Sequence, residues 1–174
     1  RALPQYSWFY RAIVLATFTL TVVFDLTVAV EAGLVLSSLF FIYRISSITT
    51  VEPLALPPGY AERAGRRVGA WEIFGSIFFG SVTKLEALLD PARTLPEVVI
   101  LEMHKVINCD TTGLDALQNL HAALGRRGGR LILVDLNEQP ASLLERSGFA
   151  QVLGRGNLFP NLEAALEDVL PGAA

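Results

Sequence analysis

Cysteine and histidine, two side chains that often serve as catalytic groups or metal ligands, are scarce in this sequence. Its 174 residues include one cysteine and two histidines, and these do not stand at a metal-ligand spacing. There is no glycine-rich dinucleotide motif, P-loop, GxSxG nucleophile motif or HExxH zinc motif. The lone Cys109 cannot form an internal disulfide, which fits a reducing compartment. We therefore predict that the chain is not an enzyme and holds no metal and no cofactor.

Basic charge is also scarce. The chain has 14 Lys and Arg against 17 Asp and Glu, a formal net charge of −3. A nucleic-acid-binding domain would carry a basic face, so we predict no nucleic-acid partner. What the chain has in excess is apolar side chains, which make up 52 % of its residues. The surplus lies in the first fifty residues.

The apolar surplus is concentrated in residues 12–43, which Arg11 and Arg44 bracket. A single helix of this length would be about 48 Å long, well beyond the ~30 Å hydrocarbon core of a bilayer. It would also place Asp25 and Glu31 near the middle, where charge is costly unless it faces protein or water. A single helix over the whole stretch is therefore disfavoured.

Two shorter helices fit this stretch better, and we predict them at residues 12–24 and 32–43, with residues 25–31 as the turn. A hairpin that enters the membrane from one side keeps both flanking arginines on that side. Two alternatives remain open: one tilted span over about residues 20–43, and a soluble helical hairpin that dimerises. A signal peptide fits less well because the apolar stretch is too long.

The composition changes after residue 50. Three prolines and two glycines fall in residues 51–66, which is typical of a linker. We therefore predict a membrane segment in residues 1–50, a proline-rich linker in residues 51–66 and a separate domain in residues 67–174.

Apolar runs alternate with helical patterns in residues 67–174, which predicts a mixed or mostly parallel sheet covered by helices. We predict strands at residues 68–74, 98–103 and 131–136, with residues 77–79 as a short second strand or a continuation of the first, and residues 151–153 as an edge strand. We predict helices at residues 82–89, from residue 110 to about 124, at 141–146 and from Asn161 to residue 170.

Four residues, Asp110, Thr111, Thr112 and Gly113, stand between a buried strand and the longest of these helices. Asp110 is a good N-cap, because its carboxylate can accept from the first free N–H groups of the helix. Gly113 keeps the first turn open to close approach. Since helix N-termini attract anions, we predict an anion-binding turn here.

A strand, then Asp-Thr-Thr-Gly-Leu, then a helix resembles the STAS domain, which anti-sigma-factor antagonists share with the cytosolic tails of SulP anion transporters. Residues 72–80, EIFGSIFFG, resemble the first strand pair of a transporter-type STAS domain. Residues 154–161, GRGNLFPN, resemble the tail segment of the bacterial branch that carries C4-dicarboxylates. The resemblance covers about residues 66–170, and the segment before it is similar to the last membrane segments of the same transporters.

This resemblance implies an α/β STAS fold preceded by an α-helical transmembrane hairpin. It implies the C-terminal portion of a secondary anion transporter of the sulfate, dicarboxylate or bicarbonate class, whose STAS domain regulates or assembles the transporter and does not bind the substrate. The implied partners are the remainder of the membrane domain and a second copy in a homodimer. The implied location is the inner or plasma membrane, multi-pass, with a cytoplasmic C-terminal domain.

The resemblance also implies two partner sites. In the antagonists, the first hydroxyl after the Asp is phosphorylated, and by position this is Thr111. The alternative function is therefore a membrane-tethered, antagonist-like signalling module switched at Thr111, although a purely structural first-turn role for both threonines stays open. A nucleotide could dock at this turn. Arg155, Asn157 and Phe159 form a candidate loop for an acidic partner such as acyl carrier protein.

Overall fold

The computed structural model describes residues 8–23, 26–78, 82–89 and 96–170. The chain divides into two compact units, Arg1–Ile45 and Ser46–Ala174.

The first unit is formed by two apolar helices, α1 (Trp8–Val23) and α2 (Leu26–Ile48), and the last three residues of α2 belong to the second unit. A Cβ atom on Gly33 of α2 would lie 3.4 Å from Oγ1 of Thr17 on α1, so the two helices approach closely there. Earlier residues of α1 share a groove with later residues of α2: Ala12, Ile13 and Ala16 with Leu36, Leu39, Phe40 and Tyr43. The helices therefore run antiparallel, as a hairpin requires.

The predicted turn at residues 25–31 is wrong in position. Residues 26–31 form the start of α2, because they include neither glycine nor proline and nothing in them ends a helix. Residues 24 and 25 lie outside the described part of the chain. Within that part, one helical stretch, Leu26–Ile45, is long and apolar enough to cross a membrane, judged by length and composition alone. The predicted helix at residues 32–43 is too short, because α2 begins at Leu26 and continues through Glu31 to Ile48.

The second unit is built on a mixed sheet with strand order β1-β2-β3-β5-β6, and β4 pairs with β2 outside this path. β1 is antiparallel to β2, and the other pairs are parallel. The strands are β1 (Thr50–Leu54), β2 (Val68–Ile77), β3 (Val98–Glu102), β4 (Val106–Cys109), β5 (Arg130–Val134) and β6 (Leu158–Phe159). The helices are α3 (Tyr60–Ala64), α4 (Val82–Glu86), α5 (Thr111–Gly125), α6 (Glu138–Arg146), α7 (Phe149–Leu153) and α8 (Leu162–Val169), with 3-10 turns at Ala87–Leu89 and Arg155–Asn157.

Helices cover both faces of this sheet, and the predicted α/β fold with a mixed sheet is confirmed. On one face α4 to α7 pack against the sheet around Leu101, Leu117 and Phe149. On the other face α3 and α8 bury Ile100 and Ile132. The central strands β3 and β5 therefore read as nearly continuous apolar runs, as strands buried on both faces do.

The predicted linker at residues 51–66 is instead part of this unit. β1 pairs with β2 along its whole length, and Pro53 is tolerated because β1 is an edge strand. Tyr60 of α3 donates a hydrogen bond from its hydroxyl to the carbonyl oxygen of Leu166, at 2.6 Å. The three prolines on which the linker prediction depends therefore lie in an edge strand and in the turn that precedes a short helix.

The predicted edge strand at residues 151–153 is also wrong, because these residues belong to α7. Gly148, at φ 76°, ends α6 and lets the chain turn at once into another helix. The edge strand next to β5 is β6, farther along the chain. Of residues 77–79, predicted as a second strand or a continuation of the first, Ile77 continues β2, Phe78 lies beyond the strand, and residue 79 lies outside the described part of the chain. β4 was not predicted.

Candidate functional site

The predicted N-cap of α5 is confirmed by its geometry. Asp110 has extended backbone, φ −96° and ψ −177°, and its Oδ1 accepts a hydrogen bond from the N–H of Gly113 at 2.8 Å. The carbonyl of Asp110 accepts from the N–H of Leu114 at 2.9 Å. One of the free N–H groups at the helix start is therefore occupied by a carboxylate.

This turn rests on the end of β2. The N–H of Asp110 donates to the carbonyl of Ile77 at 3.1 Å. A Cβ atom on Gly113 would lie 2.5 Å from the same carbonyl oxygen and 3.0 Å from Sγ of Cys109, so only glycine fits. Thr111 is exposed and Thr112 is half-buried. The turn thus presents the Thr111 side chain to solvent from a backbone held on a buried strand.

The start of α6 supports the strand that leads into the turn. The side-chain amide of Gln139 bonds the main chain of Cys109 in both directions, accepting from its N–H at 2.8 Å and donating to its carbonyl at 3.0 Å. Asn137 donates to the carbonyls of His104 and Val106 at 2.6 and 2.8 Å. Sequence reasoning missed both amides, because their partners lie about thirty positions away and no motif links them.

Cys109 lies directly behind the turn and is 1 % exposed. Burial, and secondly the Asp110 carboxylate beside it, raises the pKa of this thiol to about 12. The thiol therefore stays protonated near neutral pH and is a poor nucleophile.

A second polar cluster lies where the carboxyl end of β3 pairs with the middle of β2. Glu72 and Glu102 are register partners, and His104 Nδ1 lies 3.0 Å from Glu102 Oε1. One donor atom from each of these three residues lies within 4.8 Å of the others, a grouping that spacing along the chain could not reveal because strand pairing creates it. Lys105 Nζ lies 2.8 Å from Glu72 Oε1 and supplies positive charge to the cluster. We therefore assign no metal to it.

The candidate loop for an acidic partner is held within the domain by two of its three predicted residues. Asn157 accepts a hydrogen bond from the Arg130 guanidinium and donates to the carbonyl of Leu153. Phe159 is half-buried and packs against the core beneath α8. Arg155 alone of the three has an exposed side chain. A partner role for this loop stays a prediction, and Arg155 is the residue best placed for it.

Arg130 organises this loop, and sequence reasoning did not single it out. Its guanidinium also donates to the carbonyl of Gly156 at 2.5 Å and to Oδ2 of Asp168 at 2.6 Å. One side chain at the start of β5 therefore joins the loop to α8. Three arginines within five positions, at 126, 127 and 130, look alike in the sequence, and only the fold distinguishes this one.

Comparison with known proteins gives matches along most of the chain. Residues 65–165 match the family model of the STAS domain. The "Putative sulfate transporter YvdB" of Bacillus subtilis is 38 % identical over 148 residues, which cover 84 % of this chain and 28 % of that protein. "Sulfate transporter 1.2" of Arabidopsis thaliana is 34 % identical over 82 residues, which cover 46 % of this chain and 13 % of that protein. The chain thus spans less than a third of the length of these curated relatives.

Solved structures give the same picture. A sulfate transporter family protein from Wolinella succinogenes is 31 % identical, with a TM-score of 0.56, over 67 % of this chain and 88 % of that chain. The murine anion transporter Slc26a9, in its inward-facing state, gives a TM-score of 0.74 over 96 % of this chain and 29 % of that chain. Its identity of 18 % limits this likeness to the fold. The anti-sigma factor antagonist SpoIIAA, at 17 % identity and a TM-score of 0.54, likewise shares the fold. With the STAS model matching more than half of its length and transporters as its relatives, the chain belongs to the STAS domain family, in the branch of the SulP sulfate transporters.

Proposed function

We propose that this chain is the C-terminal portion of a SulP-type secondary anion transporter. In this proposal α1 and α2 are the last membrane helices of the transporter, and the second unit is a cytoplasmic STAS domain that regulates or assembles it. The observation that carries the proposal is the length of the similarity to YvdB. It is longer than the whole of Ser46–Ala174, so it includes part of the helical unit, which a free STAS domain would not require.

The surface of the helical unit supports a membrane location. Leu34 and Phe41 of α2 are 68 % and 63 % exposed, and apolar side chains follow one another along the helix. Continuous apolar surface of this kind is rare on soluble proteins and is typical of contact with lipid or with other membrane helices. Arg11 and Arg44 lie at the open ends of the antiparallel pair, which favours a cytoplasmic location for both. We therefore place the protein in the inner or plasma membrane as part of a multi-pass transporter.

The transported species in this proposal is an anion, and the names of the relatives favour sulfate. The resemblance of residues 154–161 to the dicarboxylate-carrying branch favours a C4-dicarboxylate, and bicarbonate is the third member of the class. A direct test is uptake of labelled sulfate, succinate and bicarbonate, each measured separately, by proteoliposomes that contain the complete transporter. We expect uptake of at least one of them above that of protein-free vesicles, and the anion taken up most efficiently identifies the substrate. Absence of uptake for all three anions would refute the proposal.

The STAS domain in this proposal acts on the transporter and does not contact the transported anion. We propose three partners for it: the remainder of the membrane domain, a second copy of the chain in a homodimer, and an acidic protein or a nucleotide at the α5 turn or at Arg155. Acyl carrier protein is the acidic partner that the resemblance suggests. Arg155→Glu should abolish binding of purified acyl carrier protein in a titration, while Arg126→Glu, at another exposed arginine, should leave it unchanged. Equal binding by both variants would exclude this loop.

One observation favours the alternative, a membrane-tethered signalling module. Thr111 is exposed and follows the N-cap directly, and solved structures of SpoIIAA include both its unphosphorylated and its phosphorylated form. Incubation with candidate kinases followed by intact-mass measurement tests this alternative, with Thr111→Ala as the control. A phosphate on Thr111 that abolishes a partner contact would favour signalling over transport.

A further inference from the structure

We propose that the carboxyl end of β2 couples the first turn of α5 to the point where the chain leaves α2. Three consecutive residues of β2 make these contacts. Those at positions 75 and 76 contact Thr49, the first residue after α2, and Ile77 contacts the turn that begins at Asp110. We call the contact between Thr49 and Ser76 the clasp. The clasp and the α5 turn are joined through one short piece of backbone.

Thr49 is 2 % exposed, and it stands out among the described residues as a buried polar side chain. Its hydroxyl donates to the carbonyl of Ser76 at 2.9 Å and accepts from the N–H of Ser76 at 3.3 Å. Lys84 of α4 donates to the carbonyl of Thr49. Because a buried hydroxyl is costly to leave without a partner, the clasp has one strongly favoured arrangement.

Gly75 makes the clasp geometrically feasible. Its φ is 101°, a value that disfavours other residues, and a Cβ atom there would lie 3.1 Å from Cα of Thr49. The pairing of β2 with β4 shifts register between Gly75 and Ser76. Irregularities of this kind bend a strand and change the direction of its backbone. Here the shift occurs next to the peptide groups with which Thr49 forms hydrogen bonds.

The next residue, Ile77, carries the α5 turn. Its carbonyl accepts from the N–H of Asp110 and lies against Gly113 with no room for a side chain. The carbonyls of Ser76 and Ile77 belong to successive peptide groups, so a rotation that breaks one contact changes the direction of the other. Loosening the α5 turn should therefore loosen the clasp, and the reverse must hold because equilibrium coupling is reciprocal.

The consequence for transport rests on the proposed function. A phosphate, nucleotide or protein bound at the α5 turn would act through residues 75–77 on the end of α2, which in that proposal is a membrane helix. The coupling itself does not depend on transport. The coupling can be measured in detergent, where no transport takes place. A failure of the coupling and a failure of the transporter proposal are therefore distinguishable.

The test is residue-resolved amide hydrogen exchange on the full 174-residue chain in detergent micelles. In Thr49→Val the Ser76 amide loses its acceptor and should exchange faster. The informative probe is the Gly113 amide, whose acceptor is Asp110. We expect it to exchange about fivefold faster or more. Thr50→Val, one position along, is the matched control and should leave Gly113 unchanged. Thr49→Ser keeps the hydroxyl and should restore the protection.

The reverse experiment does not depend on the folding of the Thr49 variants. Asp110→Ala should speed exchange of the Ser76 amide by a similar factor, while Asn161→Ala, which removes the cap of α8, should not. The proposal is overturned if Gly113 is unaffected by Thr49→Val, if only one direction shows an effect, or if the amide of Ile132 in β5 accelerates equally, since that would indicate general loosening.

Discussion

α5 and α8 begin with the same capping chemistry on different supports. Asp110 Oδ1 accepts from the N–H of Gly113 at 2.8 Å, and Asn161 Oδ1 accepts from the N–H of Ala164 at 2.8 Å. The α8 cap is exposed, and the residue that donates to it, Ala164, carries a side chain. The α5 cap lies against Ile77, where a side chain at position 113 has no room. A cap identifies a helix start, but the surface beneath it decides whether that start is fixed within the fold.

The largest effect should come from filling the space under the α5 turn. Gly113→Ala places a Cβ atom against the Ile77 backbone and should lower the free energy of unfolding by about 2 kcal/mol, net of the better helix propensity of alanine. The matched control is Gly125→Ala at the other end of the same helix, where nothing lies within 4 Å of the added Cβ. This control should be neutral or stabilising. Urea unfolding of the full chain, followed by far-UV circular dichroism, measures both, and similar destabilisation by both would remove the distinction.

A smaller difference should separate the two caps. Asp110→Ala should cost about 1 kcal/mol of unfolding free energy, because a partly buried N–H loses its acceptor, whereas Asn161→Ala should cost about 0.5 kcal/mol, because water can replace the exposed Asn161 side chain. Thermal midpoints of the two variants and the wild type provide the measurement. An Asp110→Ala midpoint equal to that of the wild type would contradict a stabilising role for this cap.

The smallest effect should come from the hydroxyl that faces solvent. Thr111→Ala should change the unfolding free energy by less than about 0.5 kcal/mol, as is usual for exposed positions. A functional role for Thr111 would then show as a change in partner binding or in anion uptake at unchanged stability. A large loss of stability would mean that Thr111 is a structural part of the turn instead.

Local signals explain what the sequence could predict. Asp110 and Asn161 mark helix starts within a few residues of the groups that they bond, and β3 and β5 are apolar along almost their whole length. The resemblance to STAS domains likewise depended on short segments of consecutive residues. These features need no knowledge of distant contacts, and for that reason they could be predicted.

The features that were missed depend on contacts far apart in the chain. β1 exists because it pairs with β2 about twenty residues later, and its proline suggested a linker. The clasp joins residues 27 positions apart, and Arg130 bonds Asp168 at a separation of 38. The boundary of α2 was missed for another reason: the prediction places a turn up to Glu31, whereas glutamate is a good helix former and α2 continues through it.

The pairing of β1 with β2 decides where this chain can be cut. A fragment that began at residue 67 would lack β1 and leave the backbone groups of the amino-terminal half of β2 unpaired on that side. Unpaired strand edges of this kind promote aggregation. It would also lack Tyr60, which covers the same apolar face as Ile100. An expression fragment that keeps Thr49 and ends after Leu170 retains both. Fragments of the second unit that lack β1 should precipitate, even though all of the later helices are still present in them.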